Sequence, residues 1–133
     1  MCKVRVLLAD DHEEILAWVR AALTLESEEF EVVGAVRNGR DAVEEVQRLD
    51  PDVLVIDICM PILDGLRAAA QLSSNCRTKI VFLTLHEDSD FVAAAFSAGA
   101  SAYVLKSEMA TDIVPAIRAA LRGHRYLSQA LRP

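Results

Sequence analysis

Short apolar runs alternate with helix-like periodicities from one end of the chain to the other. The runs fall at residues 4–9, 31–36, 53–56, 80–83 and 102–105, several of them rich in β-branched residues, and read as buried strands. Between them lie amphipathic segments. The first, after Asp11, puts Ile15, Val19, Ala22 and Leu23 on one face, with Asp11 as its expected cap. The second follows Asn38-Gly39, carries Ala42, Val43 and Val46, and is expected to stop before Asp50-Pro51, because the residue before a proline resists the α region. The third begins near Asp64-Gly65, capped by Asp64, and buries Leu66, Ala69, Ala70 and Leu72. The fourth, 89–98, turns Phe91, Val92, Ala95 and Phe96 inward and stops at Gly99. The fifth starts near Thr111, holds Pro115 within its first turn or so, and ends at Gly123.

Five strands, each followed by a helix, make a (βα)5 order, which predicts an α/β fold with a parallel sheet covered on both faces. Residues 1–123 are expected to form that domain. The tail, 124–133, lies outside the pattern, and Tyr126-Leu127-Ser128 reads as the start of a short helical turn or of a tether.

Composition narrows the class without changing the picture. A chain of 133 residues with 53% hydrophobic content and 4 prolines suits one compact domain. Its 14 basic against 20 acidic side chains leave a net charge of −6, so no broad field draws it to nucleic acid or anionic lipid. Cys2, Cys59 and Cys76 are too scattered for a disulfide framework or a zinc spacing, and read as free thiols. Arg5 and Asp10 interrupt the N-terminus before any long apolar stretch develops, so no signal peptide or membrane span is expected and a soluble, cytoplasmic protein is.

Chemistry enters where two of the apolar runs end. Residues 6–9 run into Asp10-Asp11 and residues 53–56 run into Asp57. If those strands are parallel neighbours, their C-terminal ends converge, which is where open α/β sheets place their sites. Three carboxylates at one point repel unless a cation joins them, so an acidic pocket of the Mg²⁺-binding kind is expected.

The segment Asp57-Ile58-Cys59-Met60-Pro61-Ile62-Leu63-Asp64-Gly65 carries D-x-x-M-P-x-x-D-G after an apolar strand. Together with Asp10-Asp11, Thr84, Tyr103 and Lys106, it resembles the receiver domain of bacterial response regulators, the CheY-like superfamily. The resemblance implies a flavodoxin-like, doubly wound five-stranded parallel sheet of order 2-1-3-4-5. It implies a phosphoacceptor at Asp57, supplied by a histidine kinase. By the same resemblance Asp11 and Asp57 ligate Mg²⁺, Asp10 acts mostly through water, and the backbone carbonyl of Cys59 completes the set. Thr84 and Lys106 contact the phosphoryl oxygens, Thr84 and Tyr103 act as a two-state switch, and Cys59 and His86 tune phosphoryl lifetime. Such a domain catalyses its own phosphorylation and hydrolysis yet serves signalling.

The acid pair with His12, residues 99–106 and the tail Tyr126-Leu127-Ser128 are similar to receivers of the NarL/FixJ type. These usually precede a helix-turn-helix DNA-binding domain, which the 133 residues do not include, so DNA contact is expected only through a missing output domain. A stand-alone or phosphorylation-independent receiver acting by protein contact is the alternative. A homodimer, through the fourth helix and fifth strand or through the first and fifth helices, is compatible with either.

Every one of these residues has an ordinary reading when taken alone. Asp11 is then a helix cap, Asp57 a turn residue, Thr84 a β-branched strand residue, Lys106 a surface charge and Tyr103 a half-packed aromatic. Cys59 is a small inert thiol and His86 a solvated loop imidazole. The shared position of the acids, Thr84 and Lys106 at strand C-termini favours the functional reading. Ser107 follows Lys106 where many receivers have proline, so a trans peptide is expected there. Leu85 is large for its position and narrows access to the site, while Trp18 and Ile62 are candidate partner contacts. A flavin site lacks its hydroxyl-rich phosphate loop, a dinucleotide site lacks G-x-G-x-x-G, and a haloacid-dehalogenase-like phosphatase lacks its second acid, which is Cys59 here. No Ser-His-acid triad has supporting turn chemistry.

Overall fold

The computed structural model describes residues 2–73 and 76–133. Strands β1 (Val4–Ala9), β2 (Phe30–Val36), β3 (Val53–Ile56), β4 (Lys79–Thr84) and β5 (Ala102–Leu105) alternate with helices α1 (Glu13–Thr24), α2 (Gly39–Leu49), α3 (Gly65–Leu72), α4 (Ser89–Ser97) and α5 (Met109–Leu121). A further strand, β6 (Tyr126–Leu127), follows α5. All pairings are parallel, in the order β2-β1-β3-β4-β5-β6. The first five strands carry the flavodoxin-like order expected from the resemblance.

The period-2 alternation of the strands builds two cores. On one face Leu7, Ala9, Leu54, Ile56, Phe82 and Tyr103 pack under α2, α3 and α4. On the other, Val6, Leu8, Val53, Val55, Val81 and Val104 pack under α1 and α5. Strands buried on both faces read in the sequence as unbroken apolar runs, which is why β1, β3 and β5 have the expected bounds, whereas β2 begins one residue earlier and β4 extends one residue further at each end.

The helix ends show which local rules win. Asn38 and Asp64 cap α2 and α3, accepting from the backbone N–H of Asp41 and Arg67. Asp50 ends α2 with a left-handed backbone, φ 47°, which takes it out of the right-handed α region that Pro51 disfavours. Gly99, φ 105°, follows the cap of α4 as expected.

Three local expectations need correction. The N-cap of α1 is His12, not Asp11, and no side chain caps that end, which leaves Asp11 free for the strand-end cluster. Helix α5 begins at Met109, after a 3-10 turn over Lys106–Glu108, so Pro115 is its seventh residue and lies in the second turn, where its ring faces solvent. Along α3 it is Ala68 that is buried and Ala70 that is exposed, because the helix presents a slightly rotated face.

The tail is neither a free tether nor helical at Tyr126-Leu127. It extends the sheet beside β5, Tyr126 opposite Ala102 and Leu127 opposite Tyr103, before a 3-10 turn over Gln129–Leu131. Ser128 is fully buried there: its N–H donates to the Tyr103 carbonyl at 3.0 Å, and its hydroxyl accepts from Leu105 N and donates to Asp112 Oδ2, each at 2.9 Å. The Tyr126 hydroxyl donates to the other Asp112 oxygen at 2.9 Å. Among the described residues no helix is long and apolar enough to cross a membrane.

Candidate functional site

Strand order alone brings the expected residues together. β1 lies between β2 and β3, so the chain switches direction there and a crevice opens past the strand ends. Asp10 leaves β1 and Asp57 leaves β3 in register, with Asp57 N–H donating to the Ala9 carbonyl at 3.0 Å. Thr84 ends β4, and Lys106 follows β5. The Lys106–Ser107 peptide is trans.

The segment between Asp57 and α3 is fastened by two close backbone approaches. Gly65 N–H donates to the Ile58 carbonyl at 2.7 Å, and a Cβ on Gly65 would lie 1.9 Å from the carbonyl oxygen of Asp57. Gly39 donates to the Leu63 carbonyl at 2.9 Å, where a Cβ would meet that oxygen at 2.0 Å. The glycine of D-x-x-M-P-x-x-D-G is therefore required by packing against the acid that opens the motif.

Asp10, Asp57 and Lys106 are all buried. Lys106 Nζ lies 2.9 Å from Asp57 Oδ2 and 2.9 Å from Asp10 Oδ2, while the other Asp57 oxygen accepts from Ile58 N at 2.7 Å. Burial alone would lower the pKa of Lys106, but its contacts with Asp10 and Asp57 outweigh that and hold it above the usual value, so the ammonium stays charged. Asp11 is exposed at the mouth.

His12 joins the acids although no role was assigned to it from the sequence. Its Nδ1 is 2.9 Å from Asp10 Oδ1, 3.3 Å from Asp11 Oδ1 and 4.0 Å from Asp57 Oδ2. Among the described residues, Asp10, Asp11, His12 and Asp57 form a group whose ligand atoms all lie within 4.8 Å of one another.

One ammonium does not neutralise three carboxylates. Asp10 Oδ2 is buried, and its partner is the Lys106 ammonium at 2.9 Å, which it shares with Asp57. Buried acids that share one ammonium are what a divalent cation relieves, and oxygen donors suit Mg²⁺. Asp10, Asp11 and Asp57 thus fit the expected metal.

On the α4 face, Thr84 and Tyr103 are both fully buried. The Thr84 hydroxyl accepts from His86 N at 3.4 Å, and the Tyr103 hydroxyl donates to the His86 carbonyl at 2.8 Å. The loop after β4 is therefore held by both residues assigned to the switch. Burial, then the nearby charge of Asp57, pushes the Tyr103 phenol well above its usual pKa, so it remains a donor.

Cys59 and His86, read separately in the sequence, touch across the mouth at Sγ to Nε2 2.9 Å, and His86 stacks on Phe91 at 4.3 Å between ring centres. Burial, then Asp57, Asp64 and Asp11, raises the Cys59 pKa, so the thiol keeps its proton. Leu85 and Ile62 are each 67% exposed beside this rim, while Trp18 is half-buried against the α1/α5 core.

Comparison with known proteins decides the family. The model of the response regulator receiver domain matches residues 6–118. The chain belongs to that family. This receiver is 39% identical over 128 residues to the transcriptional regulatory protein LiaR of Bacillus subtilis, covering 93% of the chain and 59% of that protein. A two-component response regulator of the LuxR family from Aurantimonas superposes with TM-score 0.90 at 30% identity, over 98% of this chain and 93% of that one. The receiver domain of the putative response regulator NarL from Mycobacterium tuberculosis gives 0.86 at 34% identity, over 92% and 98%. The relatives are thus receivers of NarL/LuxR-type and other transcriptional response regulators. Against the curated regulators DegU and YvfU, the chain spans 53% and 64% of the full length.

Two features of the receiver's site escaped sequence reasoning. His12 sits directly after the acid pair, and only its position at a strand end marks it. The Cys59–His86 contact joins residues 27 apart in sequence, and nothing short of the strand order reveals it.

Proposed function

We propose that this receiver is a phosphoacceptor switch of a two-component pathway, with Asp57 as the acceptor and a histidine kinase as the donor. The observation that carries it is Asp57 itself: a buried carboxylate at a strand end, with a charged Lys106 2.9 Å from one oxygen and Asp10 held beside it by the same ammonium. The Asp57 carboxylate attacks the phosphorus of the phosphohistidine. The P–N bond breaks, and the imidazole leaves with the electron pair and takes up a proton.

Asp10, Asp11 and Asp57, with the Cys59 carbonyl, would hold Mg²⁺, which supplies the positive charge that lets a phosphoryl group approach these acids. Lys106 keeps its ammonium aimed at Asp57, and so at any group bonded to it. Thr84 has only a long bond to give up and turns its hydroxyl toward the new oxygens. The loop carrying His86 then moves with Tyr103, which alters the surface of α4 and β5. Residues 1–123 carry this switch, and residues 124–133 lead toward an output domain that binds DNA in the whole protein. A cytoplasmic setting and homodimerisation follow the same reading.

Incubation with acetyl phosphate and Mg²⁺, read by intact mass, tests the central step. One phosphoryl adduct is expected on the wild type and none on Asp57→Asn. An unmodified wild type would leave a phosphorylation-independent binding module as the better reading.

A further inference from the structure

His12 turns a site built for a hard cation into one with a borderline donor. Its Nδ1 lies 2.9 Å from Asp10 Oδ1 and 3.3 Å from Asp11 Oδ1, with the Lys106 ammonium 3.4 Å from the same nitrogen. The ring is half-exposed and makes no capping bond for α1, so helix termination does not account for its placement. The four ligand atoms lie within 4.8 Å of one another. An octahedral ion with ligands about 2.1 Å away spans about 4.2 Å between opposite donors, so closing on one asks only small side-chain adjustments. The buried Asp10 Oδ2 has only a shared partner, the Lys106 ammonium that also pairs with Asp57, which leaves the cluster short of positive charge and points to an ion there.

We infer that His12 is a further ligand of the metal site, which makes the receiver favour later first-row divalent cations of the Co²⁺ and Ni²⁺ type over Mg²⁺. The inference rests on reading Asp10, Asp11 and Asp57 as a metal site. Mg²⁺ takes the carboxylates and keeps water in its remaining positions, leaving the imidazole aside. Later first-row ions gain from nitrogen, and their affinities for a mixed site rise along the series toward copper. Ligation through Nδ1 uses the neutral imidazole that carries its proton on Nε2.

Calorimetric titration of the metal-free protein with MgCl₂ and, separately, CoCl₂ tests the idea, with visible absorption of Co²⁺ as a second readout. Wild type is expected to bind Co²⁺ more tightly than Mg²⁺. His12→Ala is expected to lose at least about tenfold in Co²⁺ affinity, the lower end of what even an outer-shell partner costs a metal site. Its Mg²⁺ affinity is expected to stay within about twofold, since hard ions do not use the ring. His12→Asn, which supplies α1 with a capping side chain, is expected to behave as His12→Ala does, separating ligation from any effect on the helix. An unchanged ratio of Co²⁺ to Mg²⁺ affinity in both variants, or an unaltered Co²⁺ spectrum, would overturn the role of His12 while Mg²⁺ binding to wild type left the parent site standing. Absence of binding by either metal to wild type would overturn both.

Discussion

Ile62 holds a left-handed backbone, φ 72°, a region that β-branched residues avoid, and its side chain is exposed. Packing gains nothing there, so the strain is local and removable. Ile62→Gly is expected to raise stability by up to about 1 kcal/mol, relief of the left-handed strain exceeding the extra freedom glycine gives the unfolded chain. A urea midpoint that falls would show the side chain to be supporting the loop. The sequence marked Ile62 as an exposed apolar residue but could not show its backbone, because the conformation is imposed by Gly39 and Gly65 gripping the loop at Leu63 and Asp57. The Cys59–His86 contact was hidden for a related reason: each residue looked ordinary, and only the strand order sets them 2.9 Å apart. On the proposed reading of Cys59 and His86 as residues that tune phosphoryl lifetime, His86→Ala is expected to change the dephosphorylation rate severalfold and leave Mg²⁺ affinity nearly unaltered. Equal decay of the two phosphorylated proteins would defeat this.

At the scale of elements, the tail behaves as part of the sheet. The two-residue strand β6 lies among arginines and shows no alternation, so no periodicity announces it, whereas β1 and β3 were legible to the residue because both their faces are buried. Tyr126 and Leu127 pack against the two cores, and polar bonds fasten the segment that follows: Ser128, fully enclosed, satisfies the Leu105 N–H and one oxygen of buried Asp112. Ser128→Ala leaves both without that partner, at an expected cost of about 1–3 kcal/mol. Chemical denaturation measures it, and a loss below about 0.5 kcal/mol, the range of ordinary surface substitutions, would mean that water replaces the hydroxyl and the tail is only laid on the domain. Because the lost partners belong to Leu105 and α5, the same substitution is expected to loosen Lys106. Faster amide exchange at residues 105–107 than in wild type is the readout.

For the whole molecule, the acidic cluster is a source of instability that a bound cation would remove. Asp10 and Asp57 share one ammonium, Asp11 adds a further negative charge at the mouth, and the chain as a whole carries −6. The acids were legible because each ends an apolar run. The degree of their mutual burial was not, since that depends on β1 and β3 being neighbours in register. An ion that binds only the folded state stabilises it by mass action, by about 2.7 kcal/mol when its concentration is a hundred times Kd. Thermal unfolding of wild type is therefore expected to shift upward with Mg²⁺ and to saturate. Asp57→Asn keeps an oxygen to accept from Ile58 N–H, and it removes one of the competing charges on Lys106. The variant is expected to fold at least as stably as wild type without Mg²⁺ and to gain much less when the ion is added. Identical Mg²⁺ shifts in the two proteins would mean that Asp57 takes no part in holding the ion.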